Sequence, residues 1–216
     1  RGNNYRIYEE MRDDEQIKVA LSFKKDMCVS SGWNIVCEYP LVKEHVENSL
    51  KQMQERGTMQ SSFEDFLRDM LSAYDFGFSV AEPVFYIGQE DGLYAFDSLR
   101  VRPPQTFTFD VSDKGDVQNV VQATREGDKK FSPSVFLHHV YQQEYGNPYG
   151  RSDLRGVHNP WKAKKFVQRF LAIYLERFAS PTVIGRYPAN WDTDEIAKLH
   201  AILKTIQQTT ALAIPD

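Results

Sequence analysis

Cysteine is scarce: Cys28 and Cys37 are the only two among 216 residues. So few give no disulfide framework and suit a reducing compartment. No apolar run approaches the roughly 18 residues of a membrane span. No charged-then-apolar leader ends in a small-residue cleavage site, so nothing points to secretion. Internal repeats and low-complexity segments are absent. Excess positive charge is also missing. The net charge is −4, which excludes a generic polyanion binder.

What is present suits a globular body. Hydrophobic residues at 41% can build a core, and charged residues at 26% can cover it. The length fits one domain, or one domain with an extension. The chain starts at Arg1 rather than Met and stops just after a strand-like run, so a piece of a longer polypeptide is expected.

Patterning predicts helices first. Residues 13–28 carry Ile17, Leu21, Phe23, Lys24 and Cys28 at mixed helical spacing, with Asp13 and Asp14 at the start and Gly32 as the stop. Residues 33–38 (WNIVCE) alternate like a strand. Pro40 opens a second helix ending near Gly57, with apolar positions Leu41, Val42, His45, Val46 and Leu50. Ser62, with Asp65 three positions on, opens a third that runs to Gly77.

Strands follow at 78–87, 93–101, 106–109, 117–122 and 135–141, the last expected to be buried. Pro83 marks an edge or a bulge in the first of them. Asp113 to Asp116 form a turn. A long helix, a strand at 182–186, a helix at 192–208 and a strand at 211–214 complete the chain. The fold class is α+β: helices, a mainly antiparallel sheet, a long helix, then a small β-α-β segment.

The long helix holds the charge asymmetry. Between Arg151 and Phe178 stand seven Lys or Arg against two acids, a net of +5, so the rest of the chain carries −9. Pro160 either restarts a helix or kinks a continuous one. At about 100° per residue, Lys162, Lys165, Arg169 and Arg177 form a basic stripe about 120° wide. Val167, Phe170, Leu171, Tyr174, Leu175 and Phe178 occupy the opposite side. An arc that wide suits packing on more than one partner.

Signals of chemistry are weak. Asp116 followed by Asp128-Lys129-Lys130 has the acid-acid-x-Lys order of a nuclease core, but the residues flank a surface turn. Gly146-x-x-x-Gly150 before a helix could cradle a phosphate, yet it lacks the Gly-Lys-Ser/Thr ending of a P-loop. His138 and His139 are adjacent and point to opposite faces, so they cannot chelate one metal as a pair. Cys28, Cys37 and His45 lack the close cysteine pair of a zinc site. Asp110, Asp113 and Asp116 lack the glycine and terminal glutamate of a calcium loop. No cofactor is implied.

Five motifs in order carry a family resemblance. They are Trp33-x-Ile35, the Gly77-Phe78-Ser79-Val80-Ala81-Glu82 strand, Pro104 with Phe107-x-Phe109-Asp110, Gly146-Asn147-Pro148-Tyr149-Gly150, and Leu175-Glu176-Arg177-Phe178 followed by Pro181. Over nearly its whole length the chain resembles the phage portal proteins, most closely those of Mu-like transposable phages. The resemblance implies a structural, non-enzymatic role in the virion. It implies a homo-oligomeric ring, of twelve subunits in that family, at one capsid vertex and assembled in the host cytoplasm. Double-stranded DNA passes through such a ring during packaging and ejection. The ring meets the packaging motor (terminase), the capsid, and head-completion or tail proteins, and no membrane. Residues 1–150 would be the wing, 151–181 the stem helix and 182–216 the start of the clip. The basic stripe would line the channel or pair with acids on a neighbouring subunit. A nuclease built on the acidic turn and the basic helix is the alternative, and an adaptor for an acidic protein is a third reading.

Overall fold

The structure, a computed structural model, describes residues 5–55, 62–88, 92–178, 183–206 and 211–215. Backbone contacts divide the chain into two compact units, residues 1–158 and 159–216. The division falls inside one long helix.

Five helices begin the first unit: α1 (Tyr5–Arg12), α2 (Glu15–Ser30), α3 (Pro40–Glu55), α4 (Phe63–Met70) and the short α5 (Ala73–Phe76). Asp14 caps α2 by accepting from the Gln16 and Ile17 amides. Ser62 and Asp65 form the expected reciprocal capping box on α4. The expected third helix is split: α4 ends at Met70 and α5 follows after a turn, closed by Gly77 in the left-handed region. α1 was not legible in the sequence.

Residues 33–38, expected as a strand, pair with no strand among the described residues. Their alternation is real: Trp33 packs edge-on against Phe63 and Ile35 lies on the core, while Val36 is exposed. What fails is the partner, because a strand also needs a neighbour to bond. Phe23 and the helix-start residues Leu41 and Val42 are exposed, although their spacing suggested a core. α2 buries Leu21 and Lys25 instead, and α3 buries Ser49, Leu50 and Met53.

Two antiparallel sheets complete this unit. In the first, β1 (Phe78–Ile87) lies between β2 (Tyr94–Arg102) and β6 (Leu137–Val140). Pro83 stands beyond the end of the β6 pairing, where β1 has a neighbour on one side only, and a bulge follows at Val84/Phe85. β6 is short and half-exposed, not the buried strand expected at 135–141. The three residues before Phe136 form a 3-10 turn. The second sheet is β3 (Phe107–Val111), β4 (Val117–Thr124) and β5 (Gly127–Phe131). β5 (GDKKF) escaped the sequence reading because only its last residue is apolar.

Two apolar clusters hold the body. Leu50, Met53, Phe66, Ala81 and Leu99 join α3 and α4 to the first sheet. Phe78, Val80, Phe107, Phe109, Val120 and Phe136 join the two sheets. Tyr149 enters the second cluster with its ring edge-on to Phe78 and Phe109, and its hydroxyl accepts from the Phe109 amide at 3.1 Å. That contact fixes the Gly146–Gly150 loop to the sheets.

α6 (Leu154–Phe178) is one continuous helix with Pro160 inside it, so the helix does not restart there. The second unit continues with β7 (Val183–Tyr187), α7 (Thr193–Ile206) and β8 (Ala211–Pro215). β7 and β8 pair in parallel, as a helical crossover requires. α7 packs on β7 through Leu203, whose Cδ1 would lie 2.7 Å from a Cβ added at Gly185. The expected ends at Gly57, Pro181, Thr182 and Gln208 lie outside the described residues.

Candidate functional site

The start of α6 is set by a backbone crossing. The Tyr141 amide donates to the Gly77 carbonyl at 2.8 Å, the Arg151 amide to the Tyr141 carbonyl at 2.9 Å, and the Asp153 amide to the Tyr74 carbonyl at 3.0 Å. Buried Ser152 donates its hydroxyl to the Asp75 carbonyl at 2.5 Å and accepts from the Leu154 amide at 3.0 Å. Gly146 and Gly150 therefore serve a tight turn, and the phosphate-cradle geometry is not built.

α2 clamps the same region. Lys24 Nζ donates to Asp153 Oδ2 and to Tyr141 Oη, both at 2.7 Å. It also sits 4.2 Å above the Tyr74 ring. Burial pulls the Lys24 pKa down, but the bonds to Asp153 and Tyr141 outweigh it and leave it raised. Tyr74 is pushed up to about 12, first by its bond to the Cys28 thiol and then by burial. The next residue of α2, Lys25, reaches Asp75 Oδ2 with its Nζ at 2.8 Å, and Arg12 Nε reaches the same oxygen at 3.0 Å. The cleft of about 470 Å³ beside this trio is lined mainly by charged side chains, several of them in these pairs.

Beyond this anchor α6 presents what the sequence singled out. Lys162, Lys165, Arg169 and Arg177 are all exposed. Among the described residues, none of the four has a carboxylate within 4.0 Å. Lys165 Nζ lies 4.3 Å over the ring of Trp161, a buried side chain that the helical pattern did not single out. Val167, Phe170, Leu171, Tyr174, Leu175 and Phe178 are each 51–63% exposed, as are Phe166 and Ile173 to a similar degree. Neighbouring rings touch along the helix, Phe166 with Phe170 and Tyr174 with Phe178. The helix thus carries uncovered apolar surface and unpaired positive charge together.

The nuclease constellation is not assembled. Asp128 pairs across from Ala123 at one end of β4, and Asp116 precedes Val117 at the other end, roughly 23 Å away at about 3.3 Å per residue. Lys130 is bound to Asp110 and Lys129 to Glu126. His138 stacks on Phe109 while His139 is exposed, so the pair is divided between faces. Both thiols are free. Among the described residues no group of three His, Cys, Asp or Glu could hold a metal ion. No described helix is long and apolar enough to cross a membrane.

Of the curated proteins compared, none matches the chain. A family model described as the portal protein of Mu bacteriophage matches residues 5–216. That family is structural rather than enzymatic, and it implies a ring assembly with capsid and DNA at the capsid vertex of the virion. With the match spanning both compact units, this chain belongs to the portal protein family of Mu bacteriophage.

Proposed function

We propose that this chain is the subunit of a closed portal ring through which double-stranded DNA is packaged and ejected. The carrying observation is the uncovered apolar arc of α6, from Phe166 to Phe178, which a neighbouring subunit would bury. In this reading residues 1–150 are the wing, 151–181 the stem helix and 182–216 the start of the clip. The ring has twelve subunits and acts without catalysis or cofactor. Terminase docks on it during filling, and head-completion or tail proteins bind afterwards. Assembly takes place in the host cytoplasm.

The basic stripe of Lys162, Lys165, Arg169 and Arg177 pairs with acids of the adjacent subunit. The −9 carried by the rest of the chain supports that choice over a stripe that grips DNA. Mass photometry and negative-stain images of the full-length protein test the reading. Closed rings are expected; a monomer that persists at high concentration overturns it.

A further inference from the structure

We propose that an acidic, apolar shoulder over residues 36–44 is the surface that receives the basic face of α6 from a neighbouring copy of this chain. The inference rests on the ring reading above and names the acids that reading requires.

The shoulder is built by two local rules. In the stretch before α3, Ile35 lies on the Leu50–Met53–Phe66 cluster, and Trp33, partly exposed, leans on Phe63 and donates its Nε1 to Glu64 at 3.0 Å. Period-two alternation then throws Val36 outward, to 90% exposure, with Glu38 on the same side. In α3, the core face is set by Val46, Leu50 and Met53. Leu41 lies nine residues before Leu50, on the opposite side of the helix at about 100° per residue. It is 81% exposed, and Tyr39 beside it 69%. These side chains are uncovered because their neighbours are committed to the core.

The patch is also unfinished in its backbone and its charge. Among the described residues, no backbone group of residues 33–38 takes part in a backbone hydrogen bond. Glu38 and Glu44 are exposed, and among the described residues neither has a cation within 4.0 Å; Lys43 beside them is paired with Glu47 at 3.7 Å, so the two acids set the sign of the shoulder. His45 joins the patch to the sheet by bonding the carbonyl of Tyr94, another exposed ring.

α6 offers the complement. Phe166 and Ile173, both exposed, fall inside the basic stripe at about 100° per residue, so apolar side chains stand among Lys162, Lys165 and Arg169. A ring requires a heterologous contact, in which two different patches of one chain meet on successive copies. An acidic apolar shoulder and a basic apolar helix satisfy that requirement in shape of composition and in sign. A contact of this kind excludes wrong partners by charge while its area comes from the apolar groups.

A charge exchange tests it on the full-length protein, read by mass photometry as the assembled fraction. Glu38→Lys with Glu44→Lys is expected to lower assembly at least about tenfold, and so is Lys162→Glu with Arg169→Glu. Combining all four changes is expected to restore it. All four positions are exposed, so thermal unfolding of each variant should match the parent. Rings unaffected by the glutamate changes, or a fourfold variant no better than either double, overturn the contact while leaving the ring reading intact. A parent protein that never leaves the monomer overturns both.

Discussion

Gly77 and Gly150 cross backbone to backbone: a Cβ on Gly150 would collide with the carbonyl oxygens of Gly77 and Tyr141, and a Cβ on Gly77 with that of Tyr149. Both sit at positive φ, 96° and 55°. The crossing ties the end of α5, the end of β6 and the start of α6 into one knot of hydrogen bonds. It is the point from which the long helix departs.

Gly150→Ala should therefore destabilise the body by about 2–5 kcal/mol, combining left-handed strain with overpacking. Gly32→Ala is the control. It shares the positive φ of 73° but would meet nothing within 4 Å, so about 1–2 kcal/mol is expected. Urea unfolding of the two variants measures the difference.

Asp75 has no solvent-accessible side chain and holds Arg12 and Lys25 on one oxygen. Asp75→Asn leaves Lys25 nearly buried beside a neutral group. A loss of about 3–5 kcal/mol is expected, the cost of breaking one side of a buried ion pair. Lys25→Met should cost less, because Arg12 still pairs with Asp75. Chemical denaturation of both variants checks the order.

Burial against Phe109 and Phe78 lowers the pKa of His138 below its usual 6.5, opposed by the bond from Nε2 to the Pro148 carbonyl. As pH falls through 6.5, the unfolded chain takes up a proton before the folded one does. This contribution to stability is therefore complete above pH 6.5 and declines below it. His138→Gln should flatten that part of the profile between pH 7 and pH 5, measured by denaturant midpoints. An unchanged slope would remove His138 as the source.

Phe170 and Tyr174 are about half exposed on α6. Phe170→Ser with Tyr174→Ser should change the stability of the monomer by no more than about 0.5 kcal/mol, as for ordinary surface positions. The same pair should reduce ring assembly strongly. Light scattering and thermal unfolding on one preparation separate the two effects.

Duplex DNA should bind weakly at physiological salt, because the acidic body offsets the basic stripe. The expected dissociation constant is in the non-specific range of about 10⁻⁴–10⁻⁶ M, or weaker. Fluorescence anisotropy with a short duplex measures it. Nanomolar binding would argue for a stripe that grips DNA.

By itself the sequence determined the elements whose causes are local. The Ser62–Asp65 box, the Asp14 cap, the strand at 78–87 with its proline, the turn at Asp113–Asp116 and the β-α-β order after the long helix all follow from side chains within a few residues of each other. The two faces of α6 were legible for the same reason, since helical periodicity needs no knowledge of neighbours. Pairing was decided by the tertiary structure. Residues 33–38 alternate like a strand yet find no partner strand among the described residues, while β5, polar almost throughout, is a strand because β4 bonds it. Only the fold could turn Gly150 from a loop glycine into a crossing with Gly77, 73 residues away, or bring Lys24 to Asp153. It also decided which apolar residues were left over: Val36, Tyr39 and Leu41 are uncovered because Ile35 and Leu50 took the core positions.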